Sequence, residues 1–215
     1  MWKSRYFLPI TLALLGITGC LPVSEPAPGY LKISGIYPHL TAYNQPEDSS
    51  LRDRHRECGI GAVVPWAGHL WYLTYPPHQR TGSNDKLYQV DPNMNLRIRP
   101  ESIGGTHANR FIHRESQQLF MGYYAIDTAG NVRTADPQQL EGRMRAPPRH
   151  LGDPANKVYY YDMEGMVYEM DVHSLAVNRL FEKPVPGWHG KGAYVGQGRL
   201  IVANNGEHQG HSMAY

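Results

Sequence analysis

The chain has 215 residues, 41% of them hydrophobic, with a formal net charge of +2. Near-neutral charge without a long basic run excludes the usual electrostatic footprint of a nucleic-acid binder, and no nucleic-acid partner is expected. The 15 Tyr, 22 Gly and 17 Pro, with few long apolar runs, suit short strands and many turns rather than a helical bundle.

In chain order, the first twenty residues follow the logic of a secretory signal. Lys3 and Arg5 form a positive start. Phe7 to Ile17 is apolar, but Pro9, Thr11 and Gly16 interrupt it and it is short for a bilayer span. It ends in Ile17-Thr18-Gly19-Cys20, which resembles a bacterial lipobox. That resemblance implies cleavage before Cys20 and a lipid on its thiol. Leu rather than Asp at position 21 then implies an outer-membrane lipoprotein facing the periplasm or the cell surface. Residues 21–57 read as a tether and N-terminal segment, opening with the polar, proline-containing stretch Leu21 to Gly29. Cys58 is the only other cysteine, so no disulfide framework is expected, and it reads as a small buried hydrophobe.

From residue 58 to 215 the chain repeats itself. Leu70 to Tyr75, Leu119 to Tyr124, Val158 to Tyr161 and Leu200 to Ala203 look like the second strand of a recurring unit. Their spacing of roughly 40 to 50 residues is the period of β-propeller blades. Third strands are expected at Leu87 to Asp91, Val132 to Asp136 and Val167 to Asp171, each ending on an aspartate that seeds a turn. Outer strands follow at Leu96 to Arg99, Leu140 to Arg145 and Val177 to Phe181. Inner strands, small and glycine-rich, are expected at Gly59 to Trp66, Thr106 to Ile112, His150 to Gly152 and Gly190 to Gly196. The fold class is therefore all-β, with three β-propeller blades and the first half of a fourth. A ring that is not closed exposes a strand edge. The chain is accordingly expected to be a fragment of a longer protein, or to close its ring by association of two chains.

In a blade, residues just before the first strand and residues between the second and third strands share one rim. This places His107, His150 and His189 with His78, His208 and His211. Repeated histidines can be packing residues of repeated loops. They can equally converge to hold a divalent metal such as zinc. In a third arrangement one of them serves as general base, with Arg110, Arg149 and Lys191 gripping an anionic substrate. Trp188 and Tyr75, beside the rim loops, are candidates to stack on a sugar ring. Arg110 lies three residues past His107, so the two cooperate only if Thr106 to Asn109 is loop rather than strand. No Walker loop, dinucleotide-binding glycine pattern, Gly-x-Ser-x-Gly elbow or Cys-x-x-Cys-His site is present.

The segments Cys58 to Trp66, Leu70 to His78, Gly82 to Tyr88 and Gly104 to Arg110 resemble the first blades of seven-bladed propellers that act on uronate-containing polysaccharides. These are glycoside hydrolase family 145, α-L-rhamnosidases removing rhamnose from glucuronate, and propeller lyases of ulvan-lyase type. The resemblance implies a catalytic histidine, matched first by His78 and second by His107. It also implies a uronate-containing polysaccharide or oligosaccharide as partner. The lyases' Tyr and Arg partners find no match at a convincing spacing. Arg110, Arg149, Trp188, His189, Lys191 and Tyr75 are the expected substrate contacts, and no resident metal is assigned. The leading expectation is an enzyme, a hydrolase or a lyase, cleaving a glycosidic bond next to a uronic acid. The alternatives are a non-catalytic glycan- or protein-binding propeller lipoprotein and an envelope scaffold.

Overall fold

A computed structural model describes residues 59–76, 79–185 and 190–204. Among them the chain is all-β, with no helix, and forms four antiparallel sheets. The first contains β1 (Gly59–Trp66), β2 (His69–Tyr75), β3 (Leu87–Val90) and β4 (Leu96–Ile98). The second contains β5 (Phe111–His113), β6 (Gln118–Met121), β7 (Tyr124–Asp127) and β8 (Val132–Thr134). The third contains β9 (Met144–Ala146), β10 (Lys157–Asp162), β11 (Val167–Asp171) and β12 (Val177–Arg179). The fourth has β13 (Gly192–Gly196) and β14 (Arg199–Ala203). In each sheet the strands lie side by side in chain order, so every sheet is a simple meander.

Most strands fall where the aromatic and β-branched runs predict them, with two displacements. The second sheet is shifted by one strand. The expected second strand, Leu119 to Tyr124, is instead two strands, β6 and β7, joined at Gly122 and Tyr123. Gly122 has φ +56°, and a Cβ there would come within 3.0 Å of His107, so glycine makes the reversal possible inside an apolar run. The segment expected as third strand is therefore the outer β8, and part of the expected outer strand, Leu140 to Arg145, opens the third sheet as β9. His150 to Gly152, expected as an inner strand, is the connection between β9 and β10. There His150 Nδ1 accepts the Asp153 amide at 2.8 Å and closes a turn.

The aspartate turns repeat in detail. Asp91 Oδ1 accepts the Asn93 and Asn95 amides at 2.9 and 2.8 Å, and its Oδ2 accepts Asn95 Nδ2 at 2.8 Å. Asp127 does the same with Ala129 and Asn131, each bond at 2.9 Å. Asp171 Oδ1 accepts the His173 and Ser174 amides. Asp136, expected in this role, also accepts an amide, from Gln138 at 2.9 Å, but in the link after β8.

Neighbouring sheets share apolar clusters. Trp71, Leu73 and Leu87 of the first sheet pack with Leu119, Met121 and Ile126 of the second. Phe120, Tyr123 and Ala125 of the second pack with Val158, Tyr160 and Met170 of the third. Alternation along β6 sends Leu119 and Met121 one way and Phe120 the other, so one strand serves both clusters. Polar latches fix the joints. Trp66 Nε1 donates to the Ile126 and Asp127 carbonyls, both at 3.0 Å. His113, fully buried, donates from Nε2 to the Pro154 carbonyl at 2.8 Å while Nδ1 accepts the Ser116 amide at 3.0 Å. Gln118 and Arg133 both donate to the Val172 carbonyl, at 3.0 and 2.9 Å.

Candidate functional site

Two groups of expected site residues separate in the structure. His107 lies in the link between β4 and β5, against the β6–β7 turn, and is 1% exposed. Its ring meets Tyr123 edge-on, with centroids 4.7 Å apart, and Nε2 donates to the Gly104 carbonyl at 2.7 Å. Thr106 to Asn109 is loop, as cooperation with Arg110 requires, yet the two side chains diverge: His107 turns into the core and Arg110 is exposed. The β4–β5 link is knit tightly to the segment after β2. Thr106 donates its amide to the Gln79 carbonyl at 2.6 Å and its hydroxyl to the Pro76 carbonyl at 2.7 Å. Its hydroxyl also accepts the Gln79 amide at 2.9 Å.

Arg110 and Arg149 come together in a cleft of about 440 Å³. Its walls are Asn109, Arg110 and Phe111 at the start of β5, Pro147 to Arg149 just past β9, and Gly192 to Val195 of β13. Arg149 was expected ahead of an inner strand. It follows β9 instead, and an isolated bridge to Val158 continues the line of that strand toward the cleft. Its Nη2 donates to Glu115 Oε1. The Glu115 carboxyl is held below the usual range by its own backbone N–H and by Arg149. Tyr194, 59% exposed, is presented by β13 to the same cleft. A second hollow of about 370 Å³, lined by Phe111, Ile112, Arg114, Glu115 and Arg149, adjoins it.

The remaining candidates lie elsewhere. His150 lies in the β9–β10 link, at the opposite end of its sheet from the β10–β11 turn. Its Nε2 donates to Glu169 Oε2 at 3.2 Å and its ring lies 4.2 Å from that of Tyr159, so both nitrogens are engaged. Tyr75 closes β2 half-buried, its ring beside Gly59, where an added Cβ would meet it at 3.8 Å. Lys191 is exposed and donates its amide to the Ala203 carbonyl at 2.7 Å. His78, Trp188, His189, His208, His211, Cys20 and Cys58 lie outside the described residues.

Among the described residues no group of three or more His, Cys, Asp or Glu is placed to hold a metal ion. Among the described residues, the carboxylic acid furthest from its ordinary value is Asp162 at the end of β10. Burial pushes its carboxyl up to about 6, against the Met166 amide and Tyr168 hydroxyl that it accepts at 2.8 and 3.1 Å. It is 0% exposed and covered by Gly142, so it braces the β10–β11 turn rather than meeting a ligand.

Sequence reasoning missed Phe111, Arg114, Glu115 and Tyr194. Tyr194 alone had a signal, a large ring in a strand otherwise made of small residues. No family model matches the chain, and no curated protein matches it either.

Proposed function

We propose that the four sheets are consecutive blades of a β-propeller, and that the cleft along its inner strands binds an anionic glycan of the uronate-bearing kind. The blade reading is supported by three meanders of identical strand order and by apolar clusters shared between successive sheets. It is also supported by the meeting of residues from the β5, β9 and β13 regions at one cleft. The ligand reading rests on one observation: Arg110, Arg149 and the exposed Tyr194 line the same cleft. A guanidinium meets a carboxylate with two parallel N–H donors, and an aromatic face suits the C–H face of a pyranose. The propeller would be held at the outer membrane by a lipid on Cys20.

Calorimetry with glucuronate and uronate-bearing oligosaccharides, against neutral counterparts, tests this. Arg110→Ala and Arg149→Ala should each weaken binding by about tenfold or more. Equal binding of neutral sugars, or two silent variants, would overturn it.

One observation favours a second reading, cleavage of a glycosidic bond next to the uronate by hydrolysis or elimination. The backbone of Pro76 and Gln79, on either side of the segment that contains His78, is held by Thr106, the residue before His107. An imidazole titrates near neutral pH and can take and give the proton that either reaction moves. In this reading His78 acts on substrate and buried His107 positions the loop. Product analysis on rhamnose-capped glucuronate and on ulvan, with His78→Ala beside the native chain, decides between turnover and binding alone.

A further inference from the structure

We propose that the cleft continues into a second subsite, formed by Arg114, Arg149 and Glu115, and that the ligand is a chain bearing anionic groups on two consecutive sugars. The inference rests on the glycan reading of the cleft and extends it along the ligand.

The two hollows are neighbours, with Phe111 and Arg149 in the walls of both. Together their walls include three arginines, Arg110, Arg114 and Arg149, and one acidic residue, Glu115. Glu115 is ionised near neutrality, since its carboxyl is held below the ordinary carboxylate range. A single uronate at Arg110 therefore leaves the second hollow positive. A second anionic group there completes the charge balance, and electrostatic complementarity of this kind sets which partner is accepted.

Arg149 is the hinge of the arrangement. Its planar fork has five N–H donors, and the bond to Glu115 uses one edge of it. The side chain is 52% exposed, so a ligand can reach the rest. Glu115 stands in the hollow as a built-in competitor. A ligand with one carboxylate, already placed on Arg110, has nothing with which to displace it. A ligand with two brings the second group onto Arg114 and shares or takes Arg149. Glu115 is thus a specificity residue: it sets a threshold that only a doubly charged stretch of glycan crosses.

The test is calorimetry on the full chain with galacturonate, its α-1,4-linked dimer and tetramer, and the methyl-esterified dimer as neutral control. The acidic dimer should bind about tenfold or more tighter than the monomer and lose affinity more steeply with salt. Arg114→Ala should erase that gain and leave monomer affinity unchanged, and Glu115→Gln should tighten the dimer. Equal monomer and dimer affinities with Arg114→Ala silent on both would overturn the second subsite and leave the cleft reading standing. A gain kept by the methyl-esterified dimer would also overturn it, because the extra contact would not be ionic. Monomer binding lost in Arg110→Ala reports on the cleft reading separately. If the native chain binds neither acid, both readings fall.

Discussion

Asp162 is a carboxylic acid whose surroundings favour its neutral form, and that makes stability depend on pH. Its folded value of about 6 stands above the ordinary 3.8, with burial as the main cause. An acid that holds its proton more tightly when folded contributes stability that is fully present below the unfolded pKa and is lost as pH rises through the folded one. Between 3.8 and about 6 the native chain should therefore lose stability relative to Asp162→Asn. The amide reproduces the protonated acid: its oxygen still accepts the Met166 amide and its NH₂ can donate to the Tyr168 hydroxyl. The difference should reach about 1–3 kcal/mol by neutral pH, read from denaturant midpoints of both proteins across that window. Parallel stability curves would refute the assignment. Little of this was legible in the sequence. Asp91 and Asp171 could be read as turn formers because their partners lie within four residues. The environment of Asp162 comes from Gly142 and Tyr168, whose approach only the folded sheet creates. The same holds for the site: the arginines were legible as cations near rim histidines, but their partner Glu115 was not, since strand order alone brings it to Arg149.

At the scale of elements, strand content was readable and strand boundaries were not. The pattern of apolar residues along Leu119 to Tyr124 suits one strand as well as two. What divides it is a glycine at φ +56° packed under His107, a contact with the preceding link that leaves no local trace. That misreading moved each later assignment by one strand until the aromatic run of β10 restored the register. Gly61, Gly142 and Gly190 each let one segment cross closely over another: a Cβ would lie 1.9 Å from the His107 carbonyl at Gly61 and 2.2 Å from the Asp162 carbonyl at Gly190. Gly142 is the tightest case among the ordinary φ values. A Cβ there would lie 1.8 Å from Asp162 Oδ2, and Asp162 has no exposed volume into which to retreat. Gly142→Ala should therefore cost about 1–3 kcal/mol, the range for overpacking a closed interior. Gly192 in β13 has nothing within 4 Å of the same position. Gly192→Ala should change stability by no more than about 0.5 kcal/mol, as open surface sites do. Urea titration of the two variants side by side separates crowding from any general preference for glycine in these strands; equal losses would sink the argument.

For the molecule as a whole, the question is whether the sheets stand as separate meanders or as one cooperative body. The clusters argue for one body. Trp71 is 0% exposed and carries contacts in two directions. Within its own sheet its Nε1 donates to the Trp66 carbonyl at 2.9 Å, and the Arg99 guanidinium lies 5.6 Å from its ring centre. Across the joint it shares a cluster with Leu119, Met121, Tyr124 and Ile126 of the second sheet. The second sheet in turn is tied to the third by Gln118, Arg133 and His113. Trp71→Ala removes the ring and leaves a cavity bounded by both sheets, at a cost of about 3–5 kcal/mol. If the sheets were independent, the loss would fall on the first alone. Because the cavity opens onto β6 and β7, and those strands also face the third sheet, the loss should spread. Amide hydrogen exchange by mass spectrometry should show faster exchange in β2, β3, β6 and β7 together, with a smaller rise in β10 and β11. Faster exchange confined to β1 through β4 would mean that the joints carry little energy. It would also weaken the blade reading, since a propeller depends on the packing of each sheet against the next.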